Sequence, residues 1–164
     1  MSDVFDAAVA AVLAHEGGLH EDPADPGGLT NWGFALAENP DLTADALRAM
    51  TREEAVARYR TLWWERYGWD RLPPAVAVKL FDIAIPVGPA PAFRALQRAC
   101  RAAGRTVAED GVLGRETIAA ACALPEGVLL AALKSELAAH FRTLVAADPR
   151  KHRFIGGWLT RAYG

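Results

Sequence analysis

Cysteine is scarce in this sequence, and no metal-binding pattern is present. Cys100 and Cys122 are the only two among 164 residues, and neither belongs to a Cys-x-x-Cys pair or a Cys/His cluster. This excludes a zinc site of the usual kind, which needs closely spaced Cys and His ligands. Both cysteines lie among alanine and leucine at helical spacing, so we expect both thiols to be buried. We expect no metal and no cofactor.

Clusters of basic residues and long apolar runs are also missing. The formal net charge is −2 and the isoelectric point is about 6.1, with no basic recognition helix or arm, so we expect no nucleic-acid partner. No apolar run approaches the ~18 residues that a membrane span requires. Residues 1–6 include acidic and no basic side chains, unlike a secretory signal. We therefore expect synthesis in the cytoplasm and no membrane span.

Apolar residues in helical patterns are what the chain does contain. They make up 52% of the sequence, enough for one compact unit or two small subdomains. Capping, proline and glycine signals predict a mostly α-helical fold, with at most one small hairpin in the glycine-rich loop after the first helix. The first predicted helix ends near residue 16. The other main predicted helices cover approximately 51–67, 74–85, 89–104 and 126–147.

The helix predicted to begin at the Thr51 capping box carries an adjacent pair of tryptophans. Its buried side is expected to include Ala55, Tyr59, Leu62 and Trp63. Adjacent residues on a helix point about 100° apart, so Trp63 and Trp64 cannot both lie in the core. We expect one of them to face a groove.

Residues 15–33 form the most informative segment, because an apolar helix changes there into a loop rich in glycine and carboxylates. Glu16 continues the apolar stripe that includes Phe5, Val9 and Val12. Partial burial disfavours the ionised form of a carboxyl, so we expect a raised pKa suited to a general acid. Asp25 lies in a wetter, turn-rich setting, where it would stay ionised and could activate water.

Two carboxylates in unlike environments are the arrangement used in glycoside hydrolysis. A simpler alternative explains the same residues. Glu16 would then cap the loop or pair with an arginine, while Asp22 and Asp25 would be turn residues before prolines.

A family resemblance favours the first interpretation. The segment contains the elements Glu16-Gly17-Gly18, Asp22-Pro23, Asp25-Pro26-Gly27-Gly28, Thr30 and Trp32-Gly33. They resemble the signature of the phage and bacterial N-acetylmuramidases of glycoside hydrolase family 108, whose catalytic glutamate corresponds to Glu16. The spacing of Glu16, Asp25 and Thr30 is similar to that of phage-type lysozymes, although the gap between Asp25 and Thr30 is one residue shorter.

The resemblance extends over nearly the whole chain. Further elements are Tyr59-Arg60, Trp63, Leu72-Pro73, Phe81-Asp82, Arg153-Phe154, Gly157-Trp158-Leu159 and Arg161. Pro86 departs from the family pattern, in which we expect an asparagine. The stretch from Phe93 to Thr117 resembles a three-helix peptidoglycan-binding domain. We therefore predict a lysozyme-like catalytic region at 1–88 and a peptidoglycan-binding-like region at 89–164, packed as one unit. Alternatively, residues 89–164 only complete the core.

The resemblance implies cleavage of the β-1,4 bond between N-acetylmuramic acid and N-acetylglucosamine. Glu16 would protonate the leaving oxygen, Asp25 would orient or deprotonate water, and Thr30 would help to hold that water. The expected partner is the peptidoglycan glycan strand. An endolysin released by a holin or another export route, acting as a monomer in the periplasm or cell wall, fits this pattern. A secretion-associated muramidase or one from a gene-transfer particle would fit it equally.

Aromatic and polar residues near the acid candidates are expected to bind the substrate. Trp32 is the first candidate for a sugar platform, and Asp22, His20 and Trp63 are further candidates. Two other functions remain open. A lytic transglycosylase would not need Asp25 and would release anhydro-sugars, and a non-catalytic wall-binding module would tolerate loss of Glu16.

Overall fold

The computed structural model describes residues 4–21 and 28–164. The backbone forms two compact units, Met1–Gly68 and Trp69–Gly164. The described residues are mostly α-helical, with a small antiparallel sheet in the first unit, so the predicted fold class is confirmed.

Short helices and the sheet make up the first unit. Its helices are α1 (Val4–His15), α2 (Ala44–Ala49), α3 (Arg52–Tyr59) and α4 (Glu65–Tyr67), with a 3-10 helix at Leu36–Glu38 and a π-helical segment at Arg60–Trp64. The strands are β1 (His20–Glu21), β2 (Leu29–Asn31) and β3 (Phe34–Ala35), in the order β1-β2-β3. Thr30 lies opposite both His20 and Ala35. The sheet thus adds a strand to the single hairpin expected from the sequence.

The π-helical segment changes which side chains of the long predicted helix are buried. The helix begins with the predicted capping box at Thr51 and buries Ala55 and Tyr59. The next buried residue is Trp64, whereas Leu62 is 43% exposed and Trp63 is half-buried. The expectation that Leu62 and Trp63 continue the buried side is therefore wrong, because the wider turn shifts the register by one residue. Only Trp64 joins the core, where its ring packs edge-on against Phe5 at 5.4 Å.

Helices dominate the second unit. They are α5 (Pro74–Val87), α6 (Pro89–Ala102), α7 (Arg115–Cys122), α8 (Glu126–Ala147) and α9 (Ile155–Tyr163), with 3-10 helices at Trp69–Arg71 and Pro149–Phe154. The nearly all-apolar α5 packs against α6 and α8, and α8 also packs against α9. The packing boundary therefore precedes α5, whereas the predicted boundary at residue 88 follows it.

The two cysteines differ in their environment. Cys100 is buried on α6, and burial raises the pKa of its thiol to about 11. Cys122 is exposed in the last turn of α7, where its thiol donates a 3.3 Å hydrogen bond to the Arg71 carbonyl. The expectation of two buried thiols is therefore wrong for Cys122, since the apolar neighbours that suggested burial lie on another side of a short helix.

The packing of α5 predicts the behaviour of a fragment that ends after it. Residues 1–88 keep α5, with its fully buried Leu80, Phe81 and Ile83, but lose α6 and α8, the helices that pack against it. We expect this fragment to aggregate or to lack a cooperative unfolding transition, because a large apolar face is left in water. Size-exclusion chromatography and thermal denaturation measure this. A soluble, monomeric 1–88 fragment with a sharp transition would contradict the prediction.

Candidate active site

Helix α1 positions Glu16. Its residues Phe5, Ala8 and Val12 are fully buried, which fixes the rotation of the helix. The Glu16 amide donates a 2.9 Å hydrogen bond to the Val12 carbonyl, so the residue is still held by the last turn. Its side chain is half-buried. The apolar stripe therefore delivers a carboxyl to the boundary between core and solvent, as the sequence predicts.

An open cleft of ≈ 380 Å³ lies beside this carboxyl, lined by Glu16, Gly17, Gly18, His20, Thr30 and Gly33. Three of the predicted site residues are thereby brought together. His20 and Thr30 are cross-strand partners on β1 and β2, so the sheet forms the side of the cleft that faces the end of α1. Asp22 and Asp25 lie outside the described residues. Trp32 and Trp63 are not among the described residues that line the cleft.

The turn between β2 and β3 has an unusual backbone. Trp32 has a φ of 52° and Gly33 a φ of +84°, the two left-handed positions of a tight two-residue hairpin turn. A left-handed conformation costs a side chain like that of Trp32 about 1–2 kcal/mol. Such strain persists only where contacts with the surrounding structure fix the backbone in that conformation.

Side-chain hydrogen bonds from Asn31, Trp32 and Tyr59 hold this turn, and Asn31 Nδ2 makes two of them, the longer one to the Met50 carbonyl at 3.4 Å. Asn31 Nδ2 donates to the Leu47 carbonyl at 2.9 Å, and Trp32 Nε1 donates to the Met50 carbonyl at 2.9 Å. The Tyr59 hydroxyl donates to the Trp32 carbonyl at 2.9 Å. The turn is thus tied to the end of α2 and to α3.

Tyr59 and Asn31 are site residues that the sequence reasoning missed. Tyr59 is 1% exposed and its ring packs on Phe34 at 4.7 Å, while Asn31 is 4% exposed. An asparagine directly before Trp-Gly was the available signal, because asparagine is common at tight turns. The indole N–H of Trp32 donates its hydrogen bond to the Met50 carbonyl. The role of Trp32 as a sugar platform stays a prediction. The same holds for the half-buried Trp63.

Gly33 brings the backbone of the turn against the acid. A Cβ at this position would lie 3.0 Å from Glu16 Cγ and 3.3 Å from Glu16 Cβ, and it would also collide with the Tyr59 hydroxyl. Both the positive φ and the close approach therefore require glycine. The turn forms a wall behind Glu16 that restricts where its side chain can go.

With Glu16 as the expected general acid, Gly33→Ala should lower activity about tenfold to 100-fold, since small displacements of a catalytic group have effects of this size. Gly104→Ala is the matched control, because Gly104 has a similar φ of +88° but no atom within 4 Å of its added Cβ. The control should lose about 1–2 kcal/mol of stability from backbone strain and keep its activity. Hydrolysis rates on the expected peptidoglycan substrate and thermal denaturation of both variants check this. Equal activities would contradict the role of Gly33.

A salt bridge ties the sheet to the end of α2. Arg48 Nη2 lies 2.6 Å from Glu21 Oε1, and Arg48 also bonds Asp45 at 3.1 Å. The hydrogen bond from Arg48 lowers the pKa of the Glu21 carboxyl. Both partners are exposed, so the pair contributes little to stability. Its carboxylate remains ionised at neutral pH, which makes Glu21 a useful comparison for Glu16.

In the second unit, residues 110–114, with the sequence Asp-Gly-Val-Leu-Gly, form a turn around the side chain of Gln97. This fully buried side chain donates to Asp110 Oδ1 at 2.7 Å and to Thr117 Oγ1 at 3.1 Å, and it accepts from the Gly111 amide at 3.0 Å. The bond from Gln97 lowers the pKa of Asp110. A Cβ on Gly111 would lie 3.1 Å from the Ala90 carbonyl. These residues therefore have a structural role, whatever the turn binds.

Comparisons with known proteins agree with the two regions. Residues 5–88 match the family model described as Glycosyl hydrolase 108, and residues 91–163 match the model described as Predicted Peptidoglycan domain. This chain is similar to the solved structure of SagA from Brucella abortus, with a TM-score of 0.72 and 29% sequence identity. The match covers 97% of this chain and 93% of the SagA chain. None of the curated proteins matches the sequence. In the described part of the chain, no helix has the length and apolar character needed to cross a membrane.

Proposed function

The chain belongs to the glycosyl hydrolase 108 family, and we propose that Glu16 is the general acid of its reaction. The protein is accordingly a glycoside hydrolase, an N-acetylmuramidase that cleaves peptidoglycan. The observation that carries the assignment of Glu16 is its position. Its side chain is half-buried and lines an open cleft of ≈ 380 Å³ that also contains Thr30 and His20.

In the proposed reaction Glu16 donates its proton to the glycosidic oxygen as the bond from that oxygen to C1 of N-acetylmuramic acid breaks. A water molecule attacks C1 and loses a proton to Asp25. Thr30 lies in the same cleft as Glu16, where its hydroxyl can hold the attacking water. His20, on the neighbouring strand, is placed to contact the sugar.

Direct displacement by water inverts the configuration at C1. We expect the carboxyl groups of Glu16 and Asp25 to be about 6.5–9.5 Å apart, as in inverting enzymes; a separation of about 5–5.5 Å would indicate a covalent intermediate and retention. NMR of the first product reads the configuration directly. An α product is expected, and a β product would contradict the inverting scheme.

Asp25→Ala is expected to reduce the rate less than Glu16→Gln, because bulk water or Asp22 can partly replace the lost base. Rates on purified sacculi measure the difference. If Asp25→Ala retains full activity, Asp25 has no part in the mechanism.

Mass spectrometry of digested sacculi separates hydrolysis from the alternatives. Hydrolysis gives reducing N-acetylmuramic acid that takes up ¹⁸O from labelled water, whereas a lytic transglycosylase gives unlabelled anhydro-sugars. A wall-binding module would release no fragments. Anhydro products would overturn the hydrolytic assignment while keeping Glu16 as the acid.

We further propose that the protein acts as a monomeric endolysin on the periplasmic side of the membrane and reaches the wall through a holin. The match to the Glycosyl hydrolase 108 model and the resemblance of residues 15–33 to the muramidases of phages support this proposal. Expression in cells with and without a holin tests it, with Glu16→Gln as the inactive control. Lysis that depends on the holin and on Glu16 is expected. Similar lysis without a holin would instead favour a wall-remodelling enzyme with its own export route.

A further inference from the structure

A small apolar cleft lies within the second unit, apart from the Glu16 cleft. Its volume is ≈ 230 Å³, and its lining residues are Pro86, Val87, Pro91, His140, Phe141, Leu144 and Trp158. We call it the Trp158 cleft. All of these residues except His140 are apolar, and they come from α5, α6, α8 and α9. Neither the acid chemistry nor the turn around Gln97 uses them.

Two rings in the wall of the Trp158 cleft, Phe141 and Trp158, begin a row of stacked aromatic rings that continues to Phe154 outside the cleft. The rings of Phe141 and Trp158 are 5.2 Å apart with an interplanar angle of 25°, and those of Trp158 and Phe154 are 5.6 Å apart at 28°. Phe141 is buried, whereas Phe154 is 43% exposed. The row therefore runs from the core to the surface, and stacking holds Trp158 in one orientation.

A positive charge stands at the outer end of this row. The guanidinium of Arg153 lies 4.6 Å from the centre of the Phe154 ring. Among the residues that the structure describes, Arg153 forms no ion pair, whereas its neighbour Arg150 pairs with Asp148 at 2.9 Å. At the inner end, burial and the nearby Arg98 lower the pKa of His140, so its imidazole is neutral at pH 7. The second unit thus combines an apolar pocket with a cation that lies one aromatic ring beyond its wall, within reach of a ligand longer than one residue.

These properties favour one of the two chemical parts of peptidoglycan, the peptide stem, over the other, the glycan strand. A sugar ring carries several hydroxyl groups, and burying them against Pro, Val, Leu and Phe would leave most of them without a hydrogen bond. A methyl side chain fits such a pocket, and a carboxylate close to it would meet a guanidinium. Alanine residues and free carboxylates occur in the peptide stem.

We propose that the Trp158 cleft binds the peptide stem of peptidoglycan, with an alanine methyl group in the cleft and a stem carboxylate on Arg153. This inference rests on the proposed function, because it takes peptidoglycan as the substrate. Pro86 lies in the cleft wall, where its apolar ring suits a methyl group better than a polar one.

Binding of a synthetic stem pentapeptide, with the sequence L-Ala-D-Glu-L-Lys-D-Ala-D-Ala, tests the proposal. NMR titration of the full-length protein should shift the indole N–H of Trp158 and resonances of Leu144. Amidation of the peptide carboxylates and Arg153→Gln should each weaken binding about threefold to fivefold, the effect of one exposed charged contact. Arg153→Lys should restore part of the affinity. Added salt should weaken binding to the wild type.

Arg150→Gln is the matched control, because Arg150 belongs to the same 3-10 helix but pairs with Asp148. It should bind the pentapeptide like the wild type. Pro86→Asn is a second variant, and it should weaken binding without involving charge. The proposal is overturned if Trp158 does not respond to the peptide, if Arg150→Gln and Arg153→Gln weaken binding equally, or if a glycan oligomer without peptide shifts Trp158 instead.

Enzymatic rates keep this inference separate from the proposed function. Intact sacculi should be cleaved with a lower KM than glycan strands from which an amidase has removed the stems, and Arg153→Gln should reduce that difference. Equal KM values would contradict stem binding while leaving the muramidase assignment intact. If Glu16→Gln cleaved both substrates normally, the assigned acid would be wrong, and the peptide titration would still decide the role of the Trp158 cleft.

Discussion

Glu16→Gln is expected to reduce the rate of peptidoglycan hydrolysis by about 100-fold or more, because glutamine keeps the shape of the side chain but cannot donate the proton. The side chain is half-buried at the end of α1 and lines the cleft, so the substitution leaves the packing of Phe5 and Val12 unchanged. Stability should therefore change little. Release of fragments from purified sacculi measures the rate, and thermal denaturation measures stability.

The control for this experiment is Glu21→Gln, which changes the same chemical group on β1. Glu21 is exposed and pairs with Arg48. Its loss should cost little stability and leave the rate near that of the wild type. A Glu16→Gln enzyme that kept most of its activity would contradict the assignment. A Glu21→Gln enzyme as slow as Glu16→Gln would show that charge near the cleft matters more than the proton of Glu16.

Arg161→Ala is expected to lower the free energy of unfolding by about 3–5 kcal/mol, the usual cost of leaving one partner of a buried ion pair alone. Arg161 Nη2 lies 2.8 Å from Asp82 Oδ1 and 3.0 Å from the Asp82 carbonyl, and Nε lies 3.0 Å from the same carboxylate oxygen. The side chain of Asp82 is 1% exposed and that of Arg161 is 11% exposed. Without the guanidinium, the carboxylate must stay desolvated or take up a proton.

Lys79 belongs to the same network. Its ammonium donates a 2.9 Å hydrogen bond to the Arg161 carbonyl and lies 3.8 Å from Asp82 Oδ2. Because the ammonium is 3.8 Å from the carboxylate and the Arg161 guanidinium is 2.8 Å from it, Lys79 is the weaker partner of Asp82; burial lowers the pKa of Lys79. The ion pair of Asp82 and Arg161 joins two residues that are 79 positions apart in the sequence. Asp82 belongs to the Phe81-Asp82 element, and Arg161 belongs to the Gly-Trp-Leu-x-Arg element that begins at Gly157. The ion pair therefore anchors α9 to α5.

Urea denaturation of the full-length variants measures this effect. Arg150→Ala is the control, because the Arg150 side chain is 90% exposed beside Asp148 and its loss should cost less than about 1 kcal/mol. The double variant Asp82→Leu/Arg161→Met should be less destabilised than Arg161→Ala, since it removes both charges. An Arg161→Ala protein within about 1 kcal/mol of the wild type would show that the pair is not an anchor.

Local signals in the sequence were sufficient to predict most helices and the position of Glu16 at the edge of the core. The capping box at Thr51, the prolines before α5 and the glycine after α6 act within one turn of the helix that they begin or end. The apolar period of α1 places Glu16 at the edge of the core for the same reason. The spacing shared with phage-type lysozymes suggested Thr30, and its position beside the motif suggested His20; both line the cleft beside Glu16, and their roles stay predictions.

Tertiary packing decided the features that such local patterns do not contain. The π-helical segment buries Trp64 instead of Trp63, because Phe5 and the rest of the core determine which ring fits. The wall behind Glu16 depends on Gly33 and Tyr59, which α3 and the hairpin bring together from distant positions. The packing boundary at Gly68 arises because α5 buries its apolar face against α6 and α8. Sequence periodicity determined which faces must be buried, and only the folded chain determined which surfaces cover them.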